Sequence, residues 1–100
     1  MVNSQLSRAI SERRLVKLIY HHPHSRIVEP HAYGQNHLGH DLLRCYQISG
    51  PSRSGKPVDW KILNLADARG IEILEERFAG PRPDYKRNDK ALDRQIYAQL

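Results

Sequence analysis

The sequence predicts a mainly β domain: a small, strongly bent antiparallel barrel flanked by an N-terminal helix and a C-terminal one. Three observations predict it. Short β-favouring runs recur between residues 15 and 74, separated by turn-forming residues. One helical periodicity precedes them and another follows. A flat sheet this short could not cover its own apolar face, so the strands are expected to curl. One hundred residues is one domain's worth of chain, too few for two independent cores.

The first helix starts at Asn3 or Ser4, either of which can cap it. Leu6, Ala9 and Ile10 then fall on one face, up to about Arg13. Residues 15–20 carry large or apolar side chains on both faces, as a largely buried strand does. His21, His22, Pro23, His24 and Ser25 break this run as a turn. Residues 26–29 pair back as a hairpin until Pro30, which has no N–H, ends the ladder. Gly34, Asn36 and Gly39 mark residues 32–40 as a loop.

Residues 41–49 form the next strand. Leu42, Arg44, Tyr46 and Ile48 fall on one side and Leu43, Cys45 and Gln47 on the other, so Arg44 stands in an apolar row. Residues 50–57 hold two Pro, two Gly and two Ser, a loop with Arg53 and Lys56 at its tip. Residues 60–65 and 71–74 add two strands around a turn at Asp67, Arg69 and Gly70. Past Phe78 the character changes. Gly80, Pro81 and Pro83 break the sheet pattern, and Arg82, Lys86, Arg87 and Lys90 surround Tyr85. Asn88 as a cap, with Leu92, Ile96 and Leu100 four apart, predicts a closing helix over 88–100. The expected organisation is a barrel domain with its helix over residues 1–79 and a basic extension over 80–100, whose stretch around Tyr85 reads either as an electrostatic arm or as a strap packed on the barrel.

Lys and Arg number 16 against 11 Asp and Glu, a net charge of +5 with an isoelectric point near 9.7. That balance argues against an acidic, cation-storing protein and for an anionic partner. Cys45 is the single cysteine, which excludes an internal disulfide and a multi-cysteine zinc site. No apolar run reaches the ~18 residues that span a bilayer, and the N-terminus lacks a signal peptide's apolar stretch. A cytoplasmic protein with no membrane partner is the expectation.

His21, His22 and His24 invite a metal reading, since imidazole suits zinc, copper and nickel. In a turn broken by Pro23 the three rings need not converge, and no nearby Cys, Asp or Glu completes a tetrahedral set, so a polar hairpin tip is the preferred reading. His31, His37 and His40 are scattered in loops. Cys45 sits mid-strand as a buried thiol, with no base or orienting acid in sequence context. There is no paired-carboxylate arrangement and no glycine-rich phosphate loop. A non-enzymatic chain without metal or cofactor is therefore expected.

What remains is cations beside aromatic rings. Arg26, Arg44 and Lys61 lie on predicted strands next to Tyr20, Tyr46 and Trp60. The candidate ligand-binding set is Arg26, Arg44, Tyr46, Trp60 and Lys61, with the cations on phosphate and Tyr46 or Trp60 stacked on a base. The competing reading makes the cations plain solvated surface and both rings core.

The run Ala9-Ile10, Leu15-Val16-Lys17-Leu18-Ile19-Tyr20 and Arg26-Ile27-Val28-Glu29-Pro30 resembles the opening of WYL domains. In that family a helix ending in a basic pair leads into an apolar-Tyr strand and an R-x-V-E-P strand. Gly39, Leu42-Leu43-Arg44-Cys45-Tyr46 and Trp60-Lys61-Ile62-Leu63-Asn64-Leu65 follow in the family's order, the last where the family has F-R-L-D-R-I. The likeness covers roughly residues 5 to 78. It departs at the Trp-Tyr-Leu triplet, which falls at Asp41, Leu42 and Leu43, and at the strand's Asp and Arg, which fall at Leu63 and Asn64.

The resemblance implies an Sm-like barrel of the kind found in bacterial transcription regulators, where it is thought to sense nucleotide or nucleic acid. About a dozen residues precede the first strand, too few for a helix-turn-helix reader, so a free-standing member is expected. The leading expectation is a module that binds a nucleotide or single-stranded nucleic acid. The alternative is a protein interaction or homodimer module using the sheet edge and the C-terminal helix, whose Leu92, Ile96 and Leu100 stripe would seek a partner.

Overall fold

The computed structural model describes residues 2–20, 24–52 and 55–100. One helix, α1 (Ser4–Glu12), precedes five strands in chain order: β1 (Arg14–Tyr20), β2 (Ser25–Gln35), β3 (Asp41–Ser49), β4 (Asp59–Asn64) and β5 (Ala68–Arg77). A sixth, β6 (Gln95–Gln99), closes the chain. The cap is Asn3, whose side chain accepts from the N–H groups of Gln5 and Leu6. Arg13 ends the helix with φ 56°, a left-handed residue that turns the chain straight into β1.

All pairings are antiparallel, in the order β4-β3-β2-β1-β5. Among the described residues no pairing of β4 with β5 closes the sheet, so the expected barrel is replaced by a bent open sheet. A single turn of 3-10 helix (Leu65–Asp67), capped by the Asn64 side chain, joins those two outer strands. Bending comes from bulges. The β2–β3 register shifts between Ile27 and Val28 and again between Pro30 and Ala32. Pro30 therefore does not end β2 as its missing N–H suggested; it sits beside a bulge and the strand runs on to Gln35.

The predicted C-terminal helix is instead β6. The first half of β2 pairs with β1 through residues 25–28, which leaves the edge beyond it open, and β6 fills that edge against Ala32–Gln35. A waiting row of backbone donors and acceptors outweighs the weak helical spacing of Leu92, Ile96 and Leu100. Ile96 and Tyr97 suit a strand in any case. Asn88, the supposed cap, has φ +60°, which is not cap geometry. Gly34 makes the close approach possible, because a Cβ there would meet the Gln95 carbonyl oxygen at 2.3 Å. Residues 80–100 are thus built into the domain rather than appended to it.

Two layers cover the sheet. On one face α1 lays Leu6, Ala9 and Ile10 over Val16, Leu18, Val28, Tyr33, Leu43, Cys45 and Leu63, all buried in one cluster. On the other face the segment from Phe78 to Lys90 crosses as a strap, described below. No helix among the described residues is long and apolar enough to cross a membrane.

Candidate functional site

Strand alternation decides where the predicted site residues go. Arg44 pairs across with Ile62, Tyr46 with Trp60, and Cys45 with Lys61. Arg44, Tyr46 and Trp60 therefore share the strap face, while Lys61 shares the Cys45 face. Arg26 pairs with Leu18, a core residue, and so also lies on the helix face. The structure does not bring the three expected cations together.

Arg26 is 6% exposed. Its guanidinium lies 4.8 Å from the centre of the Tyr20 ring and donates from Nη1 to Gln47 Oε1 at 3.3 Å. Its Nε has no hydrogen-bond partner. Lys61 donates from Nζ to Ser52 Oγ. Arg53, expected at that loop's tip, lies outside the described residues, as do His21 and His22. Among the described residues no group of three or more His, Cys, Asp or Glu side chains gathers as a metal site would require. Burial pushes the Cys45 thiol up to about 12, so it stays protonated.

On the strap face the aromatic rings form their own cluster. His31 is fully buried, with Trp60 edge-on at 4.7 Å, Tyr85 edge-on at 5.1 Å and Phe78 stacked at 5.7 Å. Trp60 also meets Tyr46 edge-on at 5.5 Å and lies nearly parallel to Tyr85 at 6.1 Å. Polar contacts fix the strap over these rings. Arg82 clamps the buried Glu29 carboxylate at 2.7 and 2.9 Å and sets its guanidinium 4.5 Å from the centre of the Tyr46 ring. Trp60 Nε1 donates to the Pro83 carbonyl at 3.2 Å.

The tautomer of His31 follows from its partners: Nδ1 lies 2.8 Å from the Glu29 carbonyl oxygen and must donate, while Nε2 accepts the Arg82 N–H at 3.1 Å. Burial lowers its pKa, outweighing the Glu29 contacts that favour the charged form.

Beside this cluster opens a cavity of about 430 Å³. Arg44 and Trp60 line it from the sheet, and Asp84, Tyr85, Lys86, Arg87, Asn88, Asp89 and Lys90 from the strap. Four cations thus face two carboxylates. One of those carboxylates, Asp89, is engaged by Arg44 at 2.6 Å, whereas Lys86, Arg87 and Lys90 are exposed. Of the predicted set only Arg44 and Trp60 reach the cavity; Tyr46 lies behind Trp60 under Arg82. The basic run around Tyr85 lines the cavity but lies outside the set read from the sequence. The signal was the run itself, cations bracketing an aromatic residue just past the last predicted strand. Comparison of the chain with protein-family models, with curated proteins and with solved structures finds no match.

Proposed function

We propose that this chain is a non-enzymatic ligand-binding module for an anionic ligand, a nucleotide or a short single-stranded nucleic acid. One observation carries the reading: four cations surround a cavity walled by Trp60 and Tyr85. Its volume lies within the about 300–1,000 Å³ typical of small-molecule sites. Cations supply charge-assisted hydrogen bonds to phosphate, and flat rings accept a base without demanding one sequence. Relative to the set read from sequence, Arg44 and Trp60 stay, Tyr85, Lys86, Arg87 and Lys90 enter, Tyr46 lies behind Trp60, and Arg26 and Lys61 fall on the other face.

The same reading includes kinship with WYL domains, a regulatory role in transcription and a cytoplasmic location. The order of the sequence segments and a helix-led, bent β sheet support it. Mass spectrometry and absorbance near 260 nm on the freshly purified protein test what it carries. Titration with nucleotides and oligonucleotides at several salt concentrations then tests the mechanism. Affinity should fall as salt rises, and binding indifferent to salt would sink it.

A second reading, an interaction or homodimer module, keeps one supporting observation: β4 and β5 are outer strands of an unclosed sheet. Its other motive is weakened, because two of the three stripe residues are taken up: Leu92 is 3% exposed and Leu100 packs against the core. Sedimentation of the full chain over a range of concentrations tests it, and a monomer throughout counts against it.

A further inference from the structure

We propose that Asp89 is a built-in competitor for the ligand at Arg44, and that it restricts the cavity to ligands bearing a terminal phosphomonoester. The inference rests on the anion-binding reading of the same cavity. Arg44 does not meet the cavity with a bare guanidinium. Asp89 holds it edge-on, with Arg44 Nε at 2.6 Å from Oδ2 and Nη2 at 3.5 Å from Oδ1. The carboxylate comes from the strap, and the Asp89 side chain is only 14% exposed. Its Oδ1 also accepts the Ala91 N–H at 3.0 Å, and the Asp89 carbonyl accepts the Leu92 N–H at 3.0 Å. The turn that carries Asp89 thus has hydrogen bonds of its own besides the pair with Arg44.

An incoming anion meets a guanidinium whose Nε–Nη2 edge and charge are already taken by a carboxylate, so a bidentate hold on that edge requires displacing Asp89. A phosphodiester carries one negative charge, so the exchange replaces one charge-assisted pair with another and gains little. A phosphomonoester carries about −1.5 to −2 at neutral pH and three acceptor oxygens. It replaces Asp89 on Arg44 and still has charge and oxygens for Lys86, Arg87 and Lys90 on the strap. Burial works against Asp89 ionisation, but the hydrogen bonds from Arg44 and the Ala91 N–H hold its carboxyl below the usual range. Asp89 stays charged near neutral pH, and competition rather than protonation removes it.

The experiment is calorimetric titration of AMP, cyclic AMP and adenosine into the intact chain and into its Asp89→Asn and Arg44→Gln variants, at one fixed salt concentration. On the unmodified chain AMP should bind at least about tenfold tighter than cyclic AMP, with adenosine weakest. Asp89→Asn keeps the side-chain carbonyl for the Ala91 N–H and should tighten cyclic AMP by about tenfold and AMP by less, so that the preference for AMP narrows. Equal binding of AMP and cyclic AMP by the unmodified chain overturns the inference whether or not the variant folds. AMP binding that Arg44→Gln abolishes, with a preference for AMP over cyclic AMP that Asp89→Asn leaves unchanged, overturns the inference alone. Failure of all three probes on both the unmodified chain and Asp89→Asn overturns the reading of the cavity as well.

Discussion

The two faces of the sheet are held by different chemistry. Under α1 the contacts are mostly aliphatic and non-directional: Leu6, Ala9 and Ile10 against Val16, Leu18, Val28 and Leu43, with Tyr33 adding one hydrogen bond from the Asn3 N–H. Under the strap they are aromatic and directional, with His31 hydrogen-bonded at both ring nitrogens and Glu29 gripped by Arg82. The first kind of contact supplies free energy through area removed from water and tolerates small displacements. The second fixes one placement of the strap, and with it the cations that ring the cavity. One face therefore governs whether the chain folds, and the other whether the site exists.

The largest effect belongs to the helix face. Leu18→Ala removes a fully buried side chain, and thermal or denaturant unfolding should show a loss of about 2–5 kcal/mol. Nucleotide affinity of the remaining folded protein should not change. If affinity falls with stability, the two faces are not separable in the way described.

The next effect lies on the strap face. Arg82→Ala leaves the Glu29 carboxylate buried without its clamp, at a cost of about 1–3 kcal/mol. Arg82 is itself half-exposed, which places the value toward the lower end. Adding Glu29→Gln should recover part of the loss, because the uncompensated charge is then gone. Unlike Leu18→Ala, Arg82→Ala should also weaken nucleotide binding, since Arg82 seats the strap that carries Lys86, Arg87 and Lys90.

The same division explains what the sequence disclosed. The helix face was legible because its information is local: an apolar spacing on α1, alternation on β3, a cap at Asn3. Even the bounds of β3 follow from residues 41–49 alone. The strap face was not, because its information is relational. Nothing near Leu92 or Ile96 reveals that β2 outruns β1 and leaves an edge for β6 to fill. His31 read as a loop histidine, yet its carbonyl accepts the Leu100 N–H at 2.9 Å and its ring accepts the Arg82 N–H, 51 residues away. The candidate set is divided between the faces for a subtler reason. Adjacent positions on a strand point to opposite faces, so Lys61 beside Trp60 could not share a hollow with it.

Acid should separate the faces again, by a smaller margin. An unfolded His31 takes a proton near its ordinary pKa of about 6.5, whereas the buried ring resists protonation until lower pH. Its contribution is therefore fully present above that ordinary value and is lost as pH falls through the folded one. Protonation would also place a donor at Nε2 against the Arg82 N–H. Denaturant unfolding between about pH 7.5 and pH 5 should show stability falling with acid, and His31→Gln should flatten that fall. An unchanged slope in His31→Gln would move the acid sensitivity elsewhere.

The smallest expected effect is a null one, and it tests the assignment of faces directly. If phosphate contacts Arg44 in the cavity, Arg44→Gln should reduce the slope of log affinity against log salt by about one unit. Lys61 adds the same formal charge one residue from Trp60, but its register partner is Cys45 and its Nζ turns to Ser52. Lys61→Gln should therefore leave the slope within error of the unmodified chain, although the overall charge falls by the same amount. Equal slopes for the two variants would mean that affinity follows net charge and that the cavity has no special claim on the ligand. A reduced slope for Arg44→Gln alone would locate the bound phosphate on the strap face.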